Sequence, residues 1–104
     1  MSTVTVTYPR SEGATFDFDY YQATHLPLVA SRWGDAGLTG AQALRGVGTP
    51  DGGPAPYLAM AMISFDSAES MRAAMTGPHI GEIAGDIANF TNVQPVIQIN
   101  ERIG

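Results

Sequence analysis

Hydroxyl and apolar side chains alternate along residues 3–9, TVTVTYP, with β-branched residues throughout, which predicts a strand closed by Pro9. Residues 11–15 read as a loop. Asp17 then serves as the N-cap of a helix that runs to residue 33, with Asp19 adding negative charge to its first turn and Gly34 and Gly37 ending it. Residues 38–48 read as a strand weakened by glycines, residues 49–56 as a turn or loop, and YLAMAMISF at 57–65 as the clearest strand in the chain. These two strands are expected to pair as a hairpin. Asp66 and Glu69 have the spacing of a capping box and open a short helix through Ala68, Met71 and Met75, which Gly77-Pro78 interrupts. A second helical piece over residues 79–90 places Ile80, Ile83, Ala84, Ile87 and Phe90 on one face. The last strand spans residues 93–102 and opposes Val93, Ile97 and Ile99 to Gln94, Gln98 and Asn100.

The order β-α-β-β-α-β is that of an α+β, ferredoxin-like domain, an antiparallel sheet with both helices on one face, spanning residues 1–104 as a single unit. In the strand at 57–65 both alternating sets are apolar: Tyr57, Ala59, Ala61, Ile63 and Phe65 on one side, Leu58, Met60 and Met62 on the other. One helix layer covers one side only, so the pattern predicts a homodimer joined through the sheet faces. The competing reading is that short side chains in a small central strand fit on either face.

Composition strengthens the case for an assembly. Charged residues make up 14% of the chain, against about 25% in ordinary soluble domains, while the hydrophobic share is 44%. A net charge of -5 with five Lys plus Arg leaves no basic stripe for phosphates, which argues against nucleic-acid and anionic-membrane partners. No run approaches the roughly 18 apolar residues of a membrane span. The stretch MSTVTVTYPR has neither the basic nor the apolar region of a signal peptide, so a cytoplasmic location is expected. With no cysteine, disulfides and thiolate metal sites are excluded.

Candidate chemistry centres on FDFDYYQATHLPLV, residues 16–29. On a helix of 3.6 residues per turn, Phe18, Tyr21, His25, Leu28, Val29 and Arg32 share one arc, with His25 near its middle. Pro27 withholds a backbone donor and biases Leu26 away from helical angles, so the helix is expected to bend or partly break beside His25 and to open space toward the sheet. Tyr21, one turn earlier, brings a hydroxyl to the same region, and imidazole exchanges protons near neutral pH. Against this stands a purely structural role, in which His25 satisfies a carbonyl freed by Pro27.

The strand-end Tyr8-Pro9, Phe16-Asp17, the Tyr20-Tyr21 pair and His25-x-Pro27-Leu28 together resemble the EthD family, named for ethyl tert-butyl ether degradation. The resemblance continues through residues 40–47 and EIAGDIANFTNVQPVIQI, with Asp86 and Phe90-Thr91 ahead of the last strand. It implies a dimeric α/β barrel, two ferredoxin-like protomers joined through their sheets, with a small-molecule pocket between sheet and helices facing His25. That superfamily includes cofactor-free monooxygenases, isomerases, mutarotases and haem-degrading enzymes. Some EthD-like proteins are described as dehydratases or decarboxylases, and the founding member accompanies a cytochrome P450 system.

Two functions follow as expectations. One is an accessory pocket protein for a small hydrophobic ligand, in the degradation of ethers or other hydrophobic compounds or in a secondary-metabolite pathway. The other is a cofactor-independent enzyme of dehydratase, decarboxylase or isomerase type, with His25 as general acid or base and Tyr21 orienting or protonating an oxygen. A structural dimer with no ligand is the plainest alternative. Phe18, Val29, Trp33 and Phe90 are expected to line the pocket. Met60 and Met62 join them as a wall continued by Met71 and Met75, although methionine at such spacings also simply fills cores. His79 and Asp86 are further candidates, seven residues apart on one flank, where an exposed histidine and a solvated carboxylate are an equal alternative. No metal and no cofactor are expected: His25 and His79 lack any local ligand spacing, and GVGTPDGG lacks a dinucleotide fingerprint.

Overall fold

The computed structural model describes residues 2–104. Four antiparallel strands, β1 (Ser2–Pro9), β2 (Leu38–Arg45), β3 (Tyr57–Phe65) and β4 (Val96–Glu101), form one sheet in the order β2-β3-β1-β4. Helix α1 covers residues 18–33, α2 is Ala68–Thr76, and α3 is Ile80–Asp86 with a 3-10 turn at Ile87–Asn89. This is the α+β, ferredoxin-like architecture the pattern predicts. Among the described residues no helix is long and apolar enough to cross a membrane.

Alternation along β1 decides which face the helices cover. Val4, Val6 and Tyr8 are buried, and their partners on β3 are Ile63, Ala61 and Ala59, so these residues make the floor of the core. Thr3, Thr5 and Thr7 point to the other face. There the register lays rows across all four strands: Leu44, Met60, Thr7 and Val96 at one end, then Gln42, Met62, Thr5 and Gln98. In the single chain no helix covers this face, and Leu44 and Val96 are more than half exposed. On β3, Ala59, Ala61, Ile63 and Phe65 are thus buried on the helix side, while Met60 and Met62 on its other side are half-buried.

Helix α1 begins as predicted, with the Asp17 carboxylate accepting from Tyr20 N–H at 3.0 Å. The bend or partial break expected beside His25 does not interrupt the helix. The helix widens instead, running as a π-helical turn over Tyr21–His25 in which Leu26 N–H reaches back five residues to the Tyr21 carbonyl. The extra residue per turn loosens the ladder where Pro27 supplies no donor, and α-helical geometry resumes from Leu26 to Trp33. The widening also moves the inward stripe. It runs Tyr21, His25, Val29, Trp33, four residues at each step, while Arg32 lies on the surface with Glu82. Leu28 is only half-buried and Phe18 likewise.

The cap of α2 also differs from expectation. Ser67, not Asp66, accepts from Ser70 N–H at 3.0 Å. Asp66 N–H is instead committed to the Gly37 carbonyl at 2.8 Å, where Gly37, at φ +92°, turns the chain into β2. The last strand is shorter than its hydrophobic pattern, because residues 91–95 are held in a connection to α3.

Candidate functional site

That connection builds the site. Phe16 pairs with Thr91 as an isolated bridge, Asp17 N–H donates to the Phe90 carbonyl at 2.7 Å, and Thr91 Oγ1 donates to the Thr15 carbonyl at 2.6 Å. Asn92 adds two side-chain bonds, to Thr15 N–H and the Gly13 carbonyl. These contacts clamp the start of α1 against the end of α3, and so set residues 61 positions apart in sequence side by side: His25 Nδ1 lies 2.9 Å from Asp86 Oδ2.

The remaining Asp86 oxygen accepts from the Tyr20 hydroxyl at 2.6 Å and from Asn89 Nδ2 at 3.0 Å. Burial works to raise the Asp86 carboxyl, but the hydrogen bonds from Tyr20, Asn89 and His25 outweigh it and hold the group below its ordinary value of 3.8. A carboxylate only accepts, so Nδ1 carries a proton, and the neutral form of the imidazole has its lone pair on Nε2. The imidazole is further fixed by stacking on Tyr21, with centroids 5.5 Å apart at 16°, and by Phe90 at 4.6 Å.

His25 and Tyr21 line a cavity of about 50 Å³ between the helices and the sheet, together with Tyr8, Val29, Trp33 and Ile83. Among the described residues neither phenol oxygen nor Nε2 has a protein partner, yet no side-chain N or O shut off from solvent lacks one. These three polar atoms therefore keep some accessible surface, and the residues that carry them line the otherwise apolar cavity. Burial pushes the Tyr21 hydroxyl up to about 12, and burial with the neighbouring Tyr21 charge raises Tyr8 as well. Both phenols stay protonated donors at neutral pH.

The other candidates separate. Val29 and Trp33 line the cavity, and Phe90 forms the aromatic backing of His25. Phe18 lies outside it, carrying the Arg45 guanidinium 4.4 Å above its ring. Met60 and Met62 project from the opposite face of the sheet, because even-numbered positions of β3 point away from the helices, so the methionine wall does not form; Met75 alone of the four lines the cavity. His79 precedes α3 and Asp86 turns to His25 instead, since a tertiary partner displaces one seven residues away on the helix surface. Among the described residues no three His, Cys, Asp or Glu side chains gather as a metal-holding group. Sequence reasoning missed Tyr8, Tyr20 and Asn89. Tyr8 occupies an inward position of an alternating strand, and Asn89 follows Asp86 by one helical turn, but nothing local marks Tyr20 as Asp86's donor.

Tyr20→Phe tests this arrangement. Removing a donor to the carboxylate is expected to raise the Asp86 titration midpoint toward its ordinary value, followed by NMR of the side-chain carboxyl. The low folded value contributes stability that is complete above 3.8 and fades as pH falls through it, so the variant is expected to lose stability at neutral pH and match the wild type in acid.

A family model described as the EthD domain matches residues 11–94. An EthD-like protein from Ralstonia eutropha shares 42% identity and a TM-score of 0.86, covering 96% of this chain and 89% of its own. An ethyl tert-butyl ether degradation family protein from Bacillus halodurans shares 26% identity at a TM-score of 0.78, with 99% of each chain covered. SnoaB, a cofactor-independent oxygenase from Streptomyces nogalater, shares the fold at 11% identity and a TM-score of 0.64, over 97% of this chain and 90% of its own. Comparison with curated proteins gives no match.

Proposed function

The chain belongs to the EthD family, and on that footing we propose that it binds a small apolar carbonyl compound and exchanges a proton with it through His25. The observation that carries this reading is the 2.9 Å bond from His25 Nδ1 to Asp86, which leaves a basic Nε2 in the cavity. A structural histidine needs one partner. This one is aligned by a carboxylate that itself has three donors, an investment of four polar groups that packing alone does not require.

The chemistry is proton abstraction beside a carbonyl. Nε2 takes the proton from the carbon next to the carbonyl group, and the negative charge develops on the carbonyl oxygen. The Tyr21 and Tyr8 hydroxyls, kept protonated by burial, donate to that oxygen. Return of the proton to carbon, or loss of a group from the neighbouring carbon, completes an isomerisation, exchange or elimination. Asp86 and Tyr20 are positioning residues, since they act through His25.

The test is incubation with simple ketones, aldehydes, ethers and tertiary alcohols in deuterated water, followed by mass spectrometry with His25→Ala alongside. Incorporation of deuterium or loss of water by the wild type only supports the reading. Compounds that bind both forms unchanged support the accessory role instead, a carrier in the degradation of ethers or other hydrophobic compounds.

The uncovered sheet face completes the proposal as the homodimer contact. Its apolar row of Leu44, Met60 and Val96 meets its own copy across a two-fold axis, with the threonines of β1 between. Met60→Asp places a charge in that row and is expected to shift sedimentation from twice the chain mass to one. An unchanged dimer would place the contact elsewhere.

A further inference from the structure

The cavity is too small for a whole ligand. Its volume of about 50 Å³ compares with the about 150 Å³ of an apolar cavity that admits benzene. It has room for a carbonyl group and its immediate neighbours. Three of its lining residues, Ala84, Ile87 and Ile97, also line a groove of about 440 Å³ on the surface, between the end of α3 and the edge strand β4. These three residues stand between the two and mark the neck through which a ligand would pass.

The groove continues from the neck past Ala88, Val93 and Pro95. Thr91 and Asn92 also border it, but their polar atoms are committed: Thr91 Oγ1 to the Thr15 carbonyl and Val93 N–H, the Asn92 side chain to Thr15 N–H and the Gly13 carbonyl. Gln94 is the one polar lining side chain there with no such bond among the described residues. A guest therefore meets mostly apolar surface, with the Thr91 and Asn92 side chains already spent and the Gln94 amide at its border, which favours hydrocarbon. Ile97 is 53% exposed although it sits on the helix side of the sheet, opposite the buried Val6. An isoleucine left half uncovered at the neck is apolar surface available to a ligand. Because the groove is on the helix side, pairing of the opposite sheet faces leaves it open.

Resting on the proposed cavity function, we infer that the ligand is an elongated one, a carbonyl head in the cavity and a straight apolar tail that passes between Ile87 and Ile97 into the groove along β4. The structure thus assigns a second binding region, outside the His25 site, whose task is to hold the tail.

The test measures affinity for a series of straight-chain 2-alkanones, from 2-butanone to 2-decanone, by NMR titration of the protein. Wild-type affinity is expected to rise about fourfold per added methylene until the groove is filled. Ile97→Gln is expected to flatten that rise; because Ile97 also lines the cavity, the readout is the slope across the series and not the affinity for 2-butanone. Ile99→Gln, on the same strand and face but outside the groove, is expected to keep the wild-type slope and serves as the folding control. If 2-butanone binds and perturbs His25 but longer ketones bind no better, or Ile97→Gln keeps the slope, the tail region is overturned and the cavity reading stands. If no ketone of any length binds, both are overturned.

Discussion

His25→Ala is expected to abolish proton exchange with the ligand, a loss on the order of 10² to 10⁴ in turnover, while ligand affinity stays within about tenfold. The two effects separate because His25 contributes one edge of a cavity whose remaining lining, Tyr8, Tyr21, Val29, Trp33 and Ile83 among it, is untouched. The alanine also leaves Asp86 with its bonds from Tyr20 and Asn89, so the carboxylate is not stranded. Since His25 is buried, the alanine also leaves a void, and His25→Gln guards against reading a packing defect as lost chemistry. Glutamine offers an amide donor to Asp86 but no titratable nitrogen, and it is expected to fold normally and to be equally inactive. Turnover assays with both variants check the outcome; activity retained in either contradicts the assignment of the base.

Asp86→Asn is expected to lower turnover by about 10²-fold with little change in ligand affinity. The carboxylate can only accept, which pins the proton on Nδ1; the amide can donate as well, and frees the imidazole to place its proton on Nε2, where it no longer acts as a base. A merely structural role for Asp86 would leave the tautomer of His25 unchanged and lower turnover only as far as the folded fraction falls. The stability loss has its own signature. Because Asp86 titrates below 3.8 in the folded chain, the wild type is expected to exceed the variant in stability throughout the neutral range, with the difference closing as pH falls through the folded value. Urea denaturation across pH 2.5 to 7, values chosen to bracket the carboxylate range, measures it.

Much of the fold is legible in the chain because β1 alternates strictly and the helical stripes keep their period. TVTVTYP has one inward and one outward set, and Val4, Val6 and Tyr8 are indeed the buried ones. The doubly apolar β3 could not be parsed from pattern alone. Which set faces the helices follows from its register with β1, a long-range fact, and this is why Met60 and Met62 were expected in the pocket and lie on the far face. The π-helical turn was likewise hidden. Pro27 announces a disturbance, but whether a helix breaks or widens depends on whether the residues before it are held by packing, and Tyr21 and His25 are.

The candidate site was half legible. His25 and Tyr21 stand out as polar groups on an apolar stripe, and Val29 and Trp33 follow from helical spacing. Asp86 carried a visible charge on the same face as Ile83 and Ile87, yet its partner could not be named, because the clamp between residues 13–17 and 90–92 that joins the two helices is made by backbone groups and short polar side chains with no periodic signature. Tyr20 and Asn89 act only through that tertiary contact.

The central claim is that His25 faces the cavity with a lone pair on Nε2 while Asp86 holds the proton on Nδ1. Nitrogen-15 NMR of the histidine rings at neutral pH reads this directly, with and without 2-butanone. The account predicts the Nδ1–H tautomer for His25 in the free protein and a shift of its Nε2 resonance when the ketone binds, with His79 unmoved. A proton on Nε2, or an Nε2 resonance that ignores the bound ketone, would contradict it.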